Sequence, residues 1–438
     1  MNNMPHSNIS KMKLIGPCRT QFEMQISDLE TLLPPEHLAR SVWEFVEAMD
    51  TRPCFSYVNT FEGYPGRPMT SPKILFALWL YSILDGNSSA RKLEELCKNH
   101  NAYKWIAGGA PINRTMLAEF RSKNPIKFED LLTNCLAVMV KAGLIDDKDF
   151  AQDGTRIKAN AGNNSFRRED SLQKLREKIK VYIKQLIDSE NEYDKRTKEK
   201  KQAVAQDRLR RIEEALDTLE KEKELKKENT KKNHNKPPSD DELKEIRAST
   251  TDPVVRRMKM GDSGFRLAYN IQFATGLDSR VIYGVDVVTT LDPGTSPSMI
   301  AKVRSRLAKL NMPFPENWIG DSAYSGAEDI NAIAEMFPSC RYYAPPQTTK
   351  DPKKHRKTDS EAVKKWRDMI DTDETKNIYK KRCSTAEFSN AQIKNFGLRE
   401  FLVRGIEKVK GMTTLHVIAQ NLSRYFNIIK QRKVLLGS

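Results

Sequence analysis

The sequence is poor in the residues that usually build closed chemical sites. Its six cysteines, at 18, 54, 97, 135, 340 and 383, are scattered and include no C-x-x-C pair. That pattern argues against a structural zinc site and a disulfide framework, so reduced, mostly buried thiols are expected. The six histidines (6, 37, 100, 234, 355, 416) form no cluster, which disfavours His-based catalysis. No G-x-x-x-x-G-K-[ST] loop occurs, and with it goes the usual cradle for a nucleotide cofactor. No apolar run reaches the roughly 18 residues of a membrane span. The longest, "ILFALWLYSIL" at 74–84, has the size of a buried core helix. The opening "MNNMPHSNISKMKL" lacks the apolar centre of a secretory signal, so a cytoplasmic location without a membrane partner is expected.

Positive charge, by contrast, is in excess. The 438 residues carry 74 Lys and Arg against 58 Asp and Glu, a net charge of +16. Such an excess favours a polyanionic partner, because neutralising phosphates releases counterions. Charge alone leaves a generally basic soluble protein equally open. The length allows two or three domains with a sizeable core.

The first third reads as helical. "LPPEHLARSVWEFVEAMD" at 33–50 is amphipathic, with Pro34 and Pro35 at its expected start. "SPKILFALWLYSIL" follows, opened by a Ser71–Pro72 cap and first-turn pair. Shorter helices are expected at 88–100 and 113–124, each opened by a capping residue, and a longer one at 128–145. Three short helices with basic faces could form a helix-turn-helix-like DNA reader, or a purely structural cluster. Residues 169–247 differ in kind. Leu172, Leu175, Ile179, Tyr182 and Leu186 recur by threes and fours, as do Leu209, Ile212, Leu216 and Leu219. A charged helical hairpin is the economical reading, broken at 188–203 and ending in a mobile tail at 226–242. Strand signals then dominate: "FRLAYNIQFAT" and "RVIYGVDVVTT" around a turn at 276–279, then "ENWIG" and "CRYYAPP". Helices are expected at 298–310 and from about 327, then a charged linker at 347–375 and a helical tail at 385–432. With the insertion removed, the order describes a mixed sheet with helices on its faces, an α/β core.

Two carboxylates give this core its chemistry. Asp153 in "FAQDGTRIKANAG" and Asp321 in "NWIGDSAYSG" each end a short strand-like run. Open α/β sheets place functional groups at such strand ends, although a lone Asp before Gly is most often a turn residue. Two at matching positions in a basic chain suggest a shared hard-cation site, and magnesium prefers oxygen ligands. Two ions about 3.5–4 Å apart would activate a water or hydroxyl and stabilise the leaving oxygen at phosphorus. Such a site calls for a third carboxylate on a rigid element. Arg156 and Lys158, just after Asp153, are candidates to hold nearby phosphates.

The blocks "QDGTRIKANAG", "MKMGDSGFRLAYNIQFATGLDSRVIYGVDV" and "IGDSAYSGAEDI", with the tail, resemble bacterial insertion-sequence transposases of the DDE class. The front region "GRPMTSPKILFALWLYSILDGNSSARKLEEL" is similar to the N-terminal domain of the same transposases. The likeness covers roughly residues 20–430, in the family's order. It implies a ribonuclease H-like core over 146–168 and 248–432, a helical DNA-binding domain over 1–145, and a coiled-coil-like insertion over 169–247. It also implies Asp153, Asp321 and Glu387 as catalytic metal ligands, with two Mg2+ or Mn2+ ions. The family signature of Tyr, Arg, Glu and Lys falls on Tyr379, Arg382, Glu387 and Lys394 in "YKKRCSTAEFSNAQIK". Four residues rather than three separate Arg382 from Glu387, and Cys383 takes the expected Arg position. Glu387 and Lys394 lie two turns apart, so both project from one helix face. Tyr379, Arg382 and Lys394 are expected on the DNA. The implied reaction is nicking at the element's ends, then attack of the freed 3′-hydroxyl on target DNA, by a homodimer in a synaptic complex. The partners would be double-stranded terminal inverted repeats and target DNA in the nucleoid. A DNA-binding descendant without catalysis and a metal-dependent nuclease without strand joining are the alternatives.

Overall fold

The computed structural model describes residues 28–56, 58, 60–61, 68–123, 126–188, 195–232, 237–346, 354–370 and 372–435. The N-terminal part is a helical cluster of α1 (Leu38–Ala48), α2 (Pro72–Leu84), α3 (Ala90–Asn99), α4 (Asn101–Ala107), α5 (Arg114–Lys123) and α6 (Lys127–Lys141). Helix α2 is buried on nearly every side from Pro72 to Ile83, as its unbroken apolar run requires. The caps at Ser89 and Asn113 form as expected, accepting from the backbone N–H groups of Lys92 and Met116. Two details differ from expectation. Helix α1 begins at Leu38, after the Pro34–Pro35 pair, because the His37 Nδ1 caps it by accepting from Ala39 N at 3.1 Å. The segment ending at His100 is followed directly by the extra helix α4, whose second backbone N–H is capped by the His100 ring.

The long strand β1 (Asp149–Lys158) is followed by β2 (Phe166–Arg168) and by helices α7 (Glu169–Asp188), α8 (Lys195–Lys232) and α9 (Asp240–Lys244). Strand β3 (Arg247–Ser249) returns antiparallel to β2, with Arg168 opposite Arg247, and clips the insertion at its base. The hairpin stripes meet as expected: Leu172, Ile179, Ile212, Ala215 and Leu219 form a buried cluster with Ala248. The helical break is shorter than 188–203, since α8 is already formed at Lys195. Residues 226–232 of the expected tail also belong to α8. Its Lys and Glu residues are good helix formers that pair along the surface, as Lys221 does with Asp217 at 2.7 Å.

The rest of the core comprises β4 (Arg256–Lys259), β5 (Phe265–Gly276), β6 (Ile282–Val288), α10 (Ser296–Lys309), β7 (Asn317–Ile319), α11 (Ala327–Met336) and β8 (Arg341–Tyr343). Three helices close the chain: α12 (Glu361–Ile370), α13 (Asp373–Asn395) and α14 (Ile406–Leu435). The expected linker at 347–375 therefore holds α12 and the start of α13, while the expected tail is two helices. Strands run in the order β4-β5-β1-β7-β8, with β6 also on β5. The β1–β5 and β5–β6 pairs are antiparallel and the β1–β7 and β7–β8 pairs parallel, a mixed sheet with helices on both faces. This is an α/β fold consistent with a ribonuclease H-like core beside a helical N-terminal region.

Helix α14 ties the parts together. Its Val409, Met412, Leu415, Ile418 and Leu422 are fully buried in the cluster that also holds α1, α2 and the sheet. The Asn421 amide accepts from Ile282 N at 2.9 Å and donates to Ile282 O at 2.8 Å, satisfying one residue of the β6 edge. Among the described residues no helix is long and apolar enough to cross a membrane.

Candidate active site

Strands β1 and β7 run parallel with Ala151 opposite Ile319. Two residues further along each chain stand Asp153 and Asp321, and both pairs are separated by 168 positions, so the strand register brings the two carboxylates side by side. Asp153 lies within β1 rather than at its end, which corrects the sequence expectation. The strand continues through Lys158 because β5 pairs with it along its length, from Phe150 to Lys158. Asp321 does follow the end of β7, where its carboxylate caps a short turn by accepting from Ala323 N at 2.7 Å.

Successive residues of a strand point to opposite faces, and β1 uses both. Phe150, Gln152 and Gly154 face α10 and α11, while Ala151 and Asp153 face α13. Behind the site lies a buried polar layer. The Trp318 indole N–H donates to Gln152 Oε1 at 3.0 Å, and the Gln152 amide donates to Gln272 Oε1 at 3.0 Å. Tyr324 O–H donates to Gln272 Oε1 at 2.6 Å, and Gln272 Nε2 donates to Asp292 Oδ1 at 2.8 Å. Each member fixes the next, which makes the backbone under Asp153 rigid.

On the front face, α13 brings three side chains over the strands. Ala386 packs down, and one turn to either side stand Arg382 and Asn390. Arg382 Nη2 is 3.2 Å from Asp153 Oδ1 and 3.7 Å from Asp321 Oδ2. Asn390 Nδ2 donates to Asp153 Oδ2 at 2.7 Å. The side chains of Arg382 and Asp153 are only 11% and 19% exposed, against 37% for Asp321. Burial, together with the nearby Asp321 charge, pushes the Asp153 carboxyl up to about 6, although Arg382 pulls it down. Asn390 went unnoticed in the sequence; its spacing of eight residues from Arg382, on the same helix face, is the signal that could have found it.

The other expected residues fall in different places. Glu387 is exposed on α13, about 140° around the helix from Arg382 and about 60° from Asn390. Among the described residues no three His, Cys, Asp or Glu side chains are grouped to hold an ion, so Glu387 is not drawn up to the two aspartates. Lys394 is half-buried two turns beyond it. Tyr379 packs against the cluster of Ala151, Ile319 and Tyr343, with the Arg382 guanidinium 5.9 Å from its ring. Arg156 is on the opposite face of β1 from Asp153, 3.7 Å from Asp292 and donating to Lys259 O. Lys158 is paired with Glu400 at 3.0 Å.

Two in-register carboxylates on a mixed sheet, crossed by a helix with polar side chains, make up the candidate site. Two family models match the chain. Residues 27–123 match the Transposase domain (DUF772) and residues 336–426 match the Transposase DDE domain. These two matches, toward both ends of the chain, are consistent with an insertion-sequence DDE transposase. The second match covers Arg382, Glu387 and Asn390 and leaves Asp153 and Asp321 outside it. No curated protein and no solved structure matches the chain.

Proposed function

We propose that the chain is a DNA transposase that binds the terminal inverted repeats of its element and catalyses metal-dependent strand cleavage and strand transfer. The observation that carries this reading is the adjacency of Asp153 on β1 and Asp321 just past the end of β7, under the helix that bears Arg382 and Asn390. The donor set fits a hard cation: both aspartates offer oxygens, and the buried Oδ1 of Asn390 has no partner among the described residues. Asp153 and Asp321 would hold Mg2+ or Mn2+, and Glu387, exposed on α13 and apart from them here, would serve as the third carboxylate only once that helix turns it toward the pair. When bound, two such ions would supply charge stabilisation at the transferring phosphorus and a more acidic attacking water or hydroxyl.

The chain's own residues do the rest. The polar layer of Gln152, Gln272 and Tyr324 fixes the backbone under Asp153, so the carboxylate is positioned before substrate arrives. Arg382, Lys394 and Tyr379 lie along one helix across the site, where a phosphate backbone can be held. Arg156 and Lys158, on the other face of β1 and engaged with Asp292 and Glu400, would meet DNA only away from the two carboxylates. The helices of residues 1–145 would contribute DNA binding, the core over 146–168 and 248–432 the chemistry, and two copies would synapse the element ends.

The test uses labelled terminal-repeat DNA with Mg2+ or Mn2+. Asp153→Asn, Asp321→Asn and Glu387→Gln should each lower strand cleavage at least about 100-fold while DNA binding persists. Binding by the wild-type chain without metal-dependent cleavage would sink the enzymatic reading, and cleavage without joining would reduce it to a nuclease.

A further inference from the structure

Parallel strands that set two carboxylates side by side create a demand for positive charge, because the pair cannot ionise fully without a cation between them. In this protein that cation is Arg382. One nitrogen, Nη2, serves both partners, at 3.2 Å from Asp153 Oδ1 and 3.7 Å from Asp321 Oδ2. This is not the two-nitrogen fork in which arginine binds carboxylate most strongly. The Arg382 Nε is also buried without a hydrogen-bond partner among the described residues, so the pose leaves donor capacity unused. Arg306, somewhat more buried, makes fuller use of its donors, contacting Glu129, Thr133 and the Tyr283 carbonyl.

We propose that Arg382 is a resident counter-cation of the Asp153–Asp321 pair, and that a divalent ion must displace its guanidinium to take those carboxylates. The inference rests on the metal-dependent reading above and adds a control step to it. The guanidinium and an ion compete for the same oxygen of Asp153, so both cannot occupy it fully. Asn390, which holds the other oxygen at 2.7 Å, keeps the carboxylate oriented during the exchange. The displaced guanidinium stays on α13 beside the site as a unit positive charge for a phosphate. Ion loading and DNA engagement are thereby coupled through one side chain.

The full chain, stripped with EDTA, is titrated calorimetrically with Mn2+. Arg382→Gln should bind Mn2+ about tenfold more tightly than wild type, the loss of one charge-assisted competitor. It should also melt at lower temperature than wild type in EDTA, with the gap closing at saturating Mn2+. Lys381→Gln, which removes a neighbouring exposed cation paired with Asp278 at 3.6 Å, controls for net charge and should leave affinity unchanged. Should the glutamine variant fail to fold, Arg382→Lys, a shorter point charge, is expected to tighten binding about two- to threefold. An unchanged or weaker affinity on replacing Arg382, or an equal shift in Lys381→Gln, overturns the counter-cation role. If wild type binds Mn2+ and Asp153→Asn abolishes that binding, such a result leaves the metal reading standing. If wild type binds no Mn2+ sensitive to Asp153→Asn, the metal reading itself falls, and this inference with it.

Discussion

Asp153 is held under opposing demands, and its acidity records them. Burial raises the carboxyl from 3.8 to about 6, against the pull of Arg382. A raised acid contributes stability that is fully present below its unfolded value and is lost as pH rises through the folded one. The metal-free chain therefore loses up to about 3 kcal/mol from this group between pH 4 and 6. Asp153→Asn removes that dependence, so its stability relative to wild type in EDTA should rise by about 2–3 kcal/mol from pH 4 to pH 7. Denaturant melts at the two pH values measure it, and a pH-independent difference contradicts it. His416 works the other way. Its ring is fully buried on α14, its Nδ1–H donates to Met412 O at 2.8 Å, and burial pushes its pKa down to about 4. A depressed histidine contributes stability above its ordinary 6.5 that is lost as pH falls to 4. His416→Gln should accordingly flatten the acid side of the wild-type stability profile by about 3 kcal/mol, read from the same melts.

Strand β1 carries both faces of the site, and Gly154 shows how little room that leaves. A Cβ there would lie 2.3 Å from Asp292 Oδ1, 2.5 Å from Gln272 Nε2 and 3.0 Å from Asn270 Oδ1. Gly154→Ala should cost about 1–3 kcal/mol by urea unfolding, as overpacking that also breaks the polar layer. A neutral result would mean the layer can rearrange. The elements were readable from sequence where local chemistry decides them. The mostly apolar α2, the Ser89 and Asn113 caps and the β-branched β6 answer to propensity and pattern. Readings failed where distant partners decide. Asp153 looked like a strand end because Gly154 follows it, yet β5 extends β1 to Lys158. Helix α12 was hidden in a charged stretch, because its apolar stripe of Val363, Trp366 and Ile370 is short. The adjacency of Asp153 and Asp321 was legible only as a pair of motifs, and their register needed β7. Asn390 is spaced eight residues from Arg382, but that spacing singles it out only once the face of α13 turned toward Asp153 is known.

The insertion between β1 and β4 is separable from the rest by its own packing. Its apolar cluster, Leu172, Ile179, Ile212, Ala215 and Leu219, draws from beyond the hairpin helices, among the described residues, Ala248 and the partly buried Ile246. The two large clusters that carry the N-terminal helices, the sheet and α14 contain none of these residues. Polar ties to the core exist, as between Glu222 and Arg256, but a half-exposed ion pair of this kind contributes about 1 kcal/mol or less. The strand pair at the base supplies the means to remove the arm. Arg168 and Arg247 face each other across β2 and β3, so an Asn-Gly turn joining them would close a hairpin of ordinary geometry. Replacing residues 169–246 by Asn-Gly should therefore leave a folded chain. Its main thermal transition should fall within a few degrees of wild type, with the loss of helical circular dichroism expected from α7 and α8. The Asp153–Asp321 register depends on β1 and β7 alone, so Mn2+ binding should persist in the shortened chain. Collapse of the main transition, or loss of ion binding with the fold intact, would show that the arm instead props the sheet from outside its own cluster.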